Sequence, residues 1–189
     1  MKFTVCSVLL LLGAGPSLSP VARLRAKVPV VAVWDAASEV AGKYSSAHPE
    51  LKDRRLWLPS GRNLYLFPDK SYVYCEWGDL VDETVYDKGT WHLEDGRIDL
   101  QSDPDVTWPT RGQRAYVAVR RVTRQEILLV GLDWDLPEFE AHANDRPEFM
   151  LLLHSYTRLE PLRPDSTTHV KTELLKRAWN PAFFESKKR

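Results

Sequence analysis

The sequence predicts an all-β fold: an antiparallel, up-and-down meander of about eight strands that closes as a barrel and carries a C-terminal α-helix. Three observations lead there. Hydrophobicity alternates with a period of two from Glu39 to about Leu162, the mark of half-buried strands. Short clusters of turn residues separate the alternating segments, as antiparallel neighbours require. Closing the sheet hides both of its edges, which would otherwise offer unpaired backbone groups to other chains. The composition agrees, with 43% hydrophobic and 28% charged residues in 189, and 26 basic side chains against 26 acidic. Such a chain is too apolar to be disordered, and 9 glycines exclude a collagen-like repeat. Two cysteines cannot form a disulfide scaffold, and zero net charge lacks the basic field of a non-specific nucleic-acid binder.

Residues 1–22 read as a signal peptide. Lys2 precedes an apolar run from Phe3 to Leu12, and small or helix-breaking residues follow from Gly13 to Ser19. The run is well short of the roughly 20 residues that span a bilayer. Cleavage after Ser19 and cleavage after Ala22 both stay open. The mature chain is expected to be secreted or periplasmic, with no membrane span. It keeps only Cys75, expected to be a buried thiol on one face of a strand with Val73 and Trp77. Residues 23–38 are expected to be a mobile lead-in, 39–162 the barrel, and 163–189 the C-terminal helix with a basic tail.

Within the barrel, Gly42-Lys43-Tyr44 opens the first strand, and Leu56, Leu58 and Leu64, Leu66 flank Trp57 and Tyr65. Pro68-Asp69-Lys70 turns the chain into Ser71–Trp77. Asp95-Gly96 joins Gly89–Leu93 to Arg97–Leu100, and Asp-Gly between alternating segments is the strongest short hairpin cue. Ala115, Val117 and Val119 share one strand face, Glu126–Gly131 follows, and Phe149–Tyr156 reads as a last, central strand. Asp133–Glu148 reads as a long acidic loop with room for one helical turn. Thr168 is expected to cap a helix from about His169 to Trp179, with Val170, Leu174 and Ala178 on its buried stripe. Lys171, Lys176 and Arg177 border that stripe, so a membrane-surface role is a lesser alternative to simple docking.

The series Gly42-Lys43-Tyr44, Phe67–Tyr72, Gly89-Thr90-Trp91 and Asp95–Leu100 resembles small exported bacterial lipocalin-like domains, of the calycin type. The likeness lies mainly in residues 39–100. Lipocalins proper open with Gly-x-Trp, and Tyr44 stands in that tryptophan's place. The resemblance implies a barrel with a central cavity and a helix alongside; barrels of this kind host carriers, inhibitors and a few enzymes.

Two groups of residues could carry chemistry. Asp133, Asp135, Glu138, Glu140 and His142 place carboxylates and an imidazole close together, and these are common ligands of zinc, manganese or iron. The spacing matches no firm metal motif, and a solvated acidic loop is the plain alternative. His154, with Tyr156 two residues on, could act as a base inside a cavity, or sit hydrogen-bonded in the core. Trp77, Trp91, Trp108 and Trp134 lie in the meander or beside loops at a barrel mouth, where tryptophan can line a ligand or partner surface. Acidic side chains crowd residues 76–105, and five arginines without an acid occupy 111–124. Cross-strand ion pairs between these blocks are expected, with an anion-binding arginine patch as the alternative. No serine elbow, Cys-His pair, phosphate loop or His-Glu-x-x-His stretch occurs.

The leading functional expectation is therefore an exported, non-catalytic binding or envelope-associated protein, its partner a small hydrophobic ligand or an envelope protein. An enzyme using His154, or a metal held by residues 133–142, is the first alternative. A protein-interaction or inhibitor module is the second. The sequence names no cofactor.

Overall fold

A computed structural model describes residues 18–28, 31–34, 37–53, 59–104, 106, 114–122 and 124–178. The leader-like run before Leu18, the strand expected around Trp57, Trp108 and the basic tail lie outside the described residues.

Eight strands close the barrel: β2 (Gly42–Ser45), β3 (Ser60–Leu66), β4 (Ser71–Gly78), β5 (Val81–Glu94), β6 (Arg97–Ser102), β7 (Ala115–Arg121), β8 (Glu126–Gly131) and β9 (Tyr156–Pro161). From β3 onward each pairs antiparallel with its predecessor in the chain, and β9 returns to pair with β2. The meander and its closure are thus as the period-two pattern predicts. A ninth strand, β1 (Val31–Val33), extends the β6 side of β7: β6 pairs with Ala115–Val117 and β1 with Val119–Arg121. Asp95 (φ 49°) and Gly96 (φ 76°) both take the left-handed backbone that their hairpin needs. Gly89 is required for another reason, because a Cβ there would stand 2.0 Å from the Gln101 carbonyl oxygen on β6.

Alternation sorts the side chains. Tyr44, Leu64, Leu66, Tyr72, Tyr74, Trp91, Ile98, Leu100, Tyr116, Ala118, Ile127, Leu129 and Tyr156 form one buried cluster, which fills the barrel interior. The opposite face packs two outer clusters. One joins Val117, Val119, Leu128 and Val130 to the helices α1 (Pro20–Lys27), α4 (Asp135–His142) and α5 (Pro147–Leu153). The other joins Tyr65, Val73, Cys75 and Val85 to α6 (Pro164–Leu175). Cys75 is fully buried there, and burial pushes its thiol pKa well up. Two short helices, α2 (Ala37–Val40) and α3 (Pro49–Asp53), flank β2. No described helix is long and apolar enough to cross a membrane.

Four expectations need correction. Residues 23–38, expected as a mobile lead-in, are built into the fold where described: Leu24 and Val28 are buried on the barrel wall, and β1 joins the sheet. Asp133–Glu148 is not a loop but contains α4 and the start of α5. Phe149–Tyr156 is mostly α5 rather than a strand, so the closing strand begins at Tyr156. A short apolar run fits either period; Pro147 pre-sets the first helical turn, and α5 then buries Leu151 and Leu152. The last helix starts at Pro164, also a first-turn proline, so Thr168 lies inside it rather than capping it.

The charge blocks also pair differently from expectation. Among the described residues Arg121 meets Glu126, 3.0 Å away on β8, and Glu50 on α3, while Arg124 meets Glu50 at 2.6 Å. Arg120 stacks over Trp34. On the acidic side, Arg97 holds Asp99 at 2.8 Å and Lys88 holds Asp103 at 2.6 Å. The β6–β7 ladder covers only three residues of each strand, which leaves little frontage between the two blocks.

Candidate functional site at the barrel mouth

The two ends of the barrel are built differently. The mouth is the end that carries the β4–β5 turn, the α3 connection and the α4–α5 excursion; the base carries the β3–β4, β5–β6 and β7–β8 turns. Most residues singled out in the sequence gather at or near the mouth.

Arg62 and Glu76 are cross-strand partners at the mouth ends of β3 and β4, on the inward face shared with Leu64 and Tyr74. Neither forms an ion pair within 4.0 Å among the described residues. Glu76 instead accepts a hydrogen bond from the Tyr74 hydroxyl at 3.0 Å. The Arg62 guanidinium lies 5.7 Å from the centre of the Tyr156 ring, within cation–π range. Tyr156 is the first cause that raises its pKa, against the cost of burial. Below it, Tyr116 and Tyr156 meet edge to face with ring centres 5.7 Å apart. Both are fully buried, and among the described residues their hydroxyls have only each other to bond, Tyr116 turned towards Tyr156. The buried Ser155 hydroxyl has no hydrogen-bond partner among the described residues. Burial raises the pKa of Tyr74, Tyr116 and Tyr156, so all three are neutral phenols that can donate. Arg62 and Glu76 also wall an open cleft of about 320 Å³, with Trp77 and Leu153.

Trp77 is half-buried and packs on Gly61, where a Cβ would stand 2.3 Å from its ring. Trp134 is 60% exposed, just before α4, and Leu80 is almost wholly exposed at the β4–β5 tip. The mouth therefore has an apolar rim. Trp91 belongs to the other end: it is buried and its indole N–H donates to the Phe67 carbonyl at 2.9 Å.

His154 is the residue that follows α5, half-buried. Burial pushes its pKa below the ordinary value, while Asp135 and Glu138 pull the other way. The acidic segment is spread over the structure. Asp133 accepts from the Arg114 backbone N–H at 3.1 Å, Glu140 is held by Arg23 of α1, and Glu138 lies 3.5 Å from His142 one helical turn on. Asp135 is buried at the start of α4.

Sequence reasoning missed a second ionic cluster. His48, Glu50 and Glu126 bring three ligand-type atoms within 4.8 Å of one another. The group lies on the outer wall, where His48 bonds Glu126 at 2.7 Å and Thr157 donates to the same carboxylate at 2.8 Å. Burial opposes the Glu126 charge, but the bonds from His48 and Thr157 outweigh it and hold its pKa below the usual range. Arg121 and Arg124 already neutralise its carboxylates, so it pins α3 to the wall. Arg62 and Glu76 did carry a sequence signal: a charge in phase with Leu64 and Leu66, and another in phase with Tyr72 and Tyr74.

The fold defines the class: a closed, eight-stranded antiparallel barrel with a helix at its C-terminal end. Comparison with family models, with curated proteins and with solved structures finds no match, so function rests on the geometry.

Proposed function

We propose that this chain is an exported, non-catalytic binding protein, a lipocalin-like barrel that takes the polar head of a small ligand at its mouth. One observation carries the reading. Arg62, which has no carboxylate partner among the described residues, walls an open cleft together with Glu76 and lies over the ring of the buried Tyr156. An unpaired cation and a carboxylate facing one cleft are convergent polar groups that a ligand would complete. The interior is packed with aromatic side chains, so the ligand sits at the rim rather than deep inside. Arg62 offers donors and Glu76 offers an acceptor, which suits a head that is zwitterionic, amidic or hydroxylated. The exposed Leu80 and Trp134 supply apolar contacts for the remainder. The lipocalin-like turn and glycine pattern and the leader-like start support the same reading.

Trp77 walls the cleft, so its emission reports occupancy. Alanine, acetamide and N-acetylglucosamine are suitable probes of the three head-group types. At least one is expected to shift both the emission and the melting temperature saturably, with the effect lost in Arg62→Ala and kept in Trp134→Phe. A flat response to all three, or one that Arg62→Ala leaves intact, overturns the reading.

A further inference from the structure

The base of the barrel carries a larger cleft, of about 690 Å³, between the β3–β4 turn and the β9–α6 junction. Three cations line it, Lys70, Arg158 and Arg163, against one acid, Glu39, with Pro68 and Pro161 among its apolar walls. These are 88 to 93 residues apart in sequence between the lysine and the arginines, and only barrel closure brings them together.

None of the three has a carboxylate partner among the described residues. The nearest acid of the turn is already committed: Asp69 receives Lys171 at 2.9 Å and the Ser71 hydroxyl at 2.5 Å. Burial opposes the Asp69 charge, yet these bonds outweigh it and hold its carboxyl below the usual range. Lys70 is left with an aromatic face, its ammonium 3.8 Å from the centre of the Trp91 ring. Its backbone is fixed in the left-handed region (φ 66°), and its carbonyl accepts the Trp91 backbone N–H at 2.8 Å. Arg158 donates one guanidinium N–H to the Glu39 backbone carbonyl, which leaves its charge uncompensated. Arg163 uses its own carbonyl to receive Ser166 and Thr167 of α6, so its backbone is locked while its side chain is free of ion pairs.

We propose that this cleft is a second binding site, for an organic dianion with a phosphate-type head and a short apolar body. The walls hold three positive charges and one negative, an excess of two that a dianion matches and a neutral molecule does not. A guanidinium presents paired N–H donors that suit phosphate oxygens, and the lysine adds a point charge. The proline walls accept the apolar body. The site is at the opposite end from the mouth and stands whether or not the mouth binds anything.

The test is calorimetric titration of the full chain with phenyl phosphate, with benzyl alcohol and inorganic phosphate as comparators. Saturable binding of phenyl phosphate is expected, at least about tenfold tighter than benzyl alcohol, weakening with added salt. Lys70→Gln and Arg163→Gln are each expected to weaken it about fivefold, with thermal melts confirming the fold. Sedimentation with vesicles containing phosphatidic acid, lost in the double variant, supports the same head-group site and identifies a lipid source. Binding of phenyl phosphate without sedimentation supports it and identifies a soluble source. The proposal is overturned by an absence of phenyl phosphate binding, by inorganic phosphate binding equally well, or by affinity that survives the double variant. Loss of mouth binding in Arg62→Ala bears on neither result.

Discussion

The two ends of this barrel handle polar groups in opposite ways. At the mouth, Tyr116 and Tyr156 keep hydroxyls that have no partner but each other fully buried under Arg62. At the base, the exposed Lys70 and Arg163 keep their charges in solvent, and the buried Trp91 N–H finds a carbonyl 2.9 Å away. A buried group without a partner costs free energy, whereas an exposed unpaired charge costs almost none. The difference teaches where function can be separated from stability: the mouth couples them and the base does not.

The largest effect is expected for Tyr156→Ala. The ring is fully buried against Tyr116 and lies under Arg62, so its removal opens a cavity and should cost about 3–5 kcal/mol. Chemical denaturation reads that loss directly. The double change Tyr116→Phe with Tyr156→Phe sharpens the point by deleting two buried hydroxyls that have only each other. It should be neutral or stabilising by up to about 1 kcal/mol, because both partners go together. A clear loss of stability would show that the hydroxyls bond other groups as well, and would break the contrast with the base.

Next comes the base. Trp91→Phe keeps an aromatic ring but loses the bond to the Phe67 carbonyl, which still accepts the Lys70 backbone N–H at 3.0 Å. About 0.5–1.5 kcal/mol of destabilisation is expected by denaturation, the net worth of one hydrogen bond. Here the polar atom is an asset, and the sign is opposite to that of the two mouth phenols. Equal signs at both ends would break the contrast.

The mouth should also show a pH signature. Burial depresses the folded-state pKa of His154 below the ordinary 6.5. Its contribution is therefore fully present above pH 6.5 and is lost as the pH falls through the lower, folded value. His154→Gln should flatten the melting temperature between about pH 6.5 and 5 relative to the parent chain. An unchanged slope would show that the imidazole is solvated like an exposed one.

Much of this barrel could be read from the chain before folding, because each strand announces itself within a few residues. Gly89-Thr90-Trp91 and Asp95-Gly96 are local cues, and their glycines sit where a Cβ or a negative φ would fail. Helix α5 was illegible for a physical reason: Phe149–Leu153 is too short to favour one period, and burial on α4 and β8 decides it. The charge blocks misled because composition does not reveal register, and Arg121 found Glu50 and Glu126 instead. The mouth was half legible, since Arg62 and Glu76 fall in phase with inward-facing neighbours. The base cleft was not legible at all, because Lys70, Arg158 and Arg163 have no local pattern and meet only through closure.

The smallest effect is the most discriminating. Lys70→Gln and Arg163→Gln together should shift stability by no more than about 0.5 kcal/mol for each substitution. Lys70 loses an exposed cation–π contact worth up to about 1 kcal/mol, while glutamine keeps much of the stem's packing on Trp91. Arg163 loses no ion pair, and its backbone bonds to α6 remain. The same pair removes two of the three charges facing the base cleft, so anion affinity should fall steeply while the denaturation midpoint barely moves. Arg62→Ala at the mouth should behave otherwise, moving stability and binding together, because the guanidinium covers a buried ring. If the base variants destabilise the fold as much as Arg62→Ala does, the cations at that end are structural and the division between the two ends collapses.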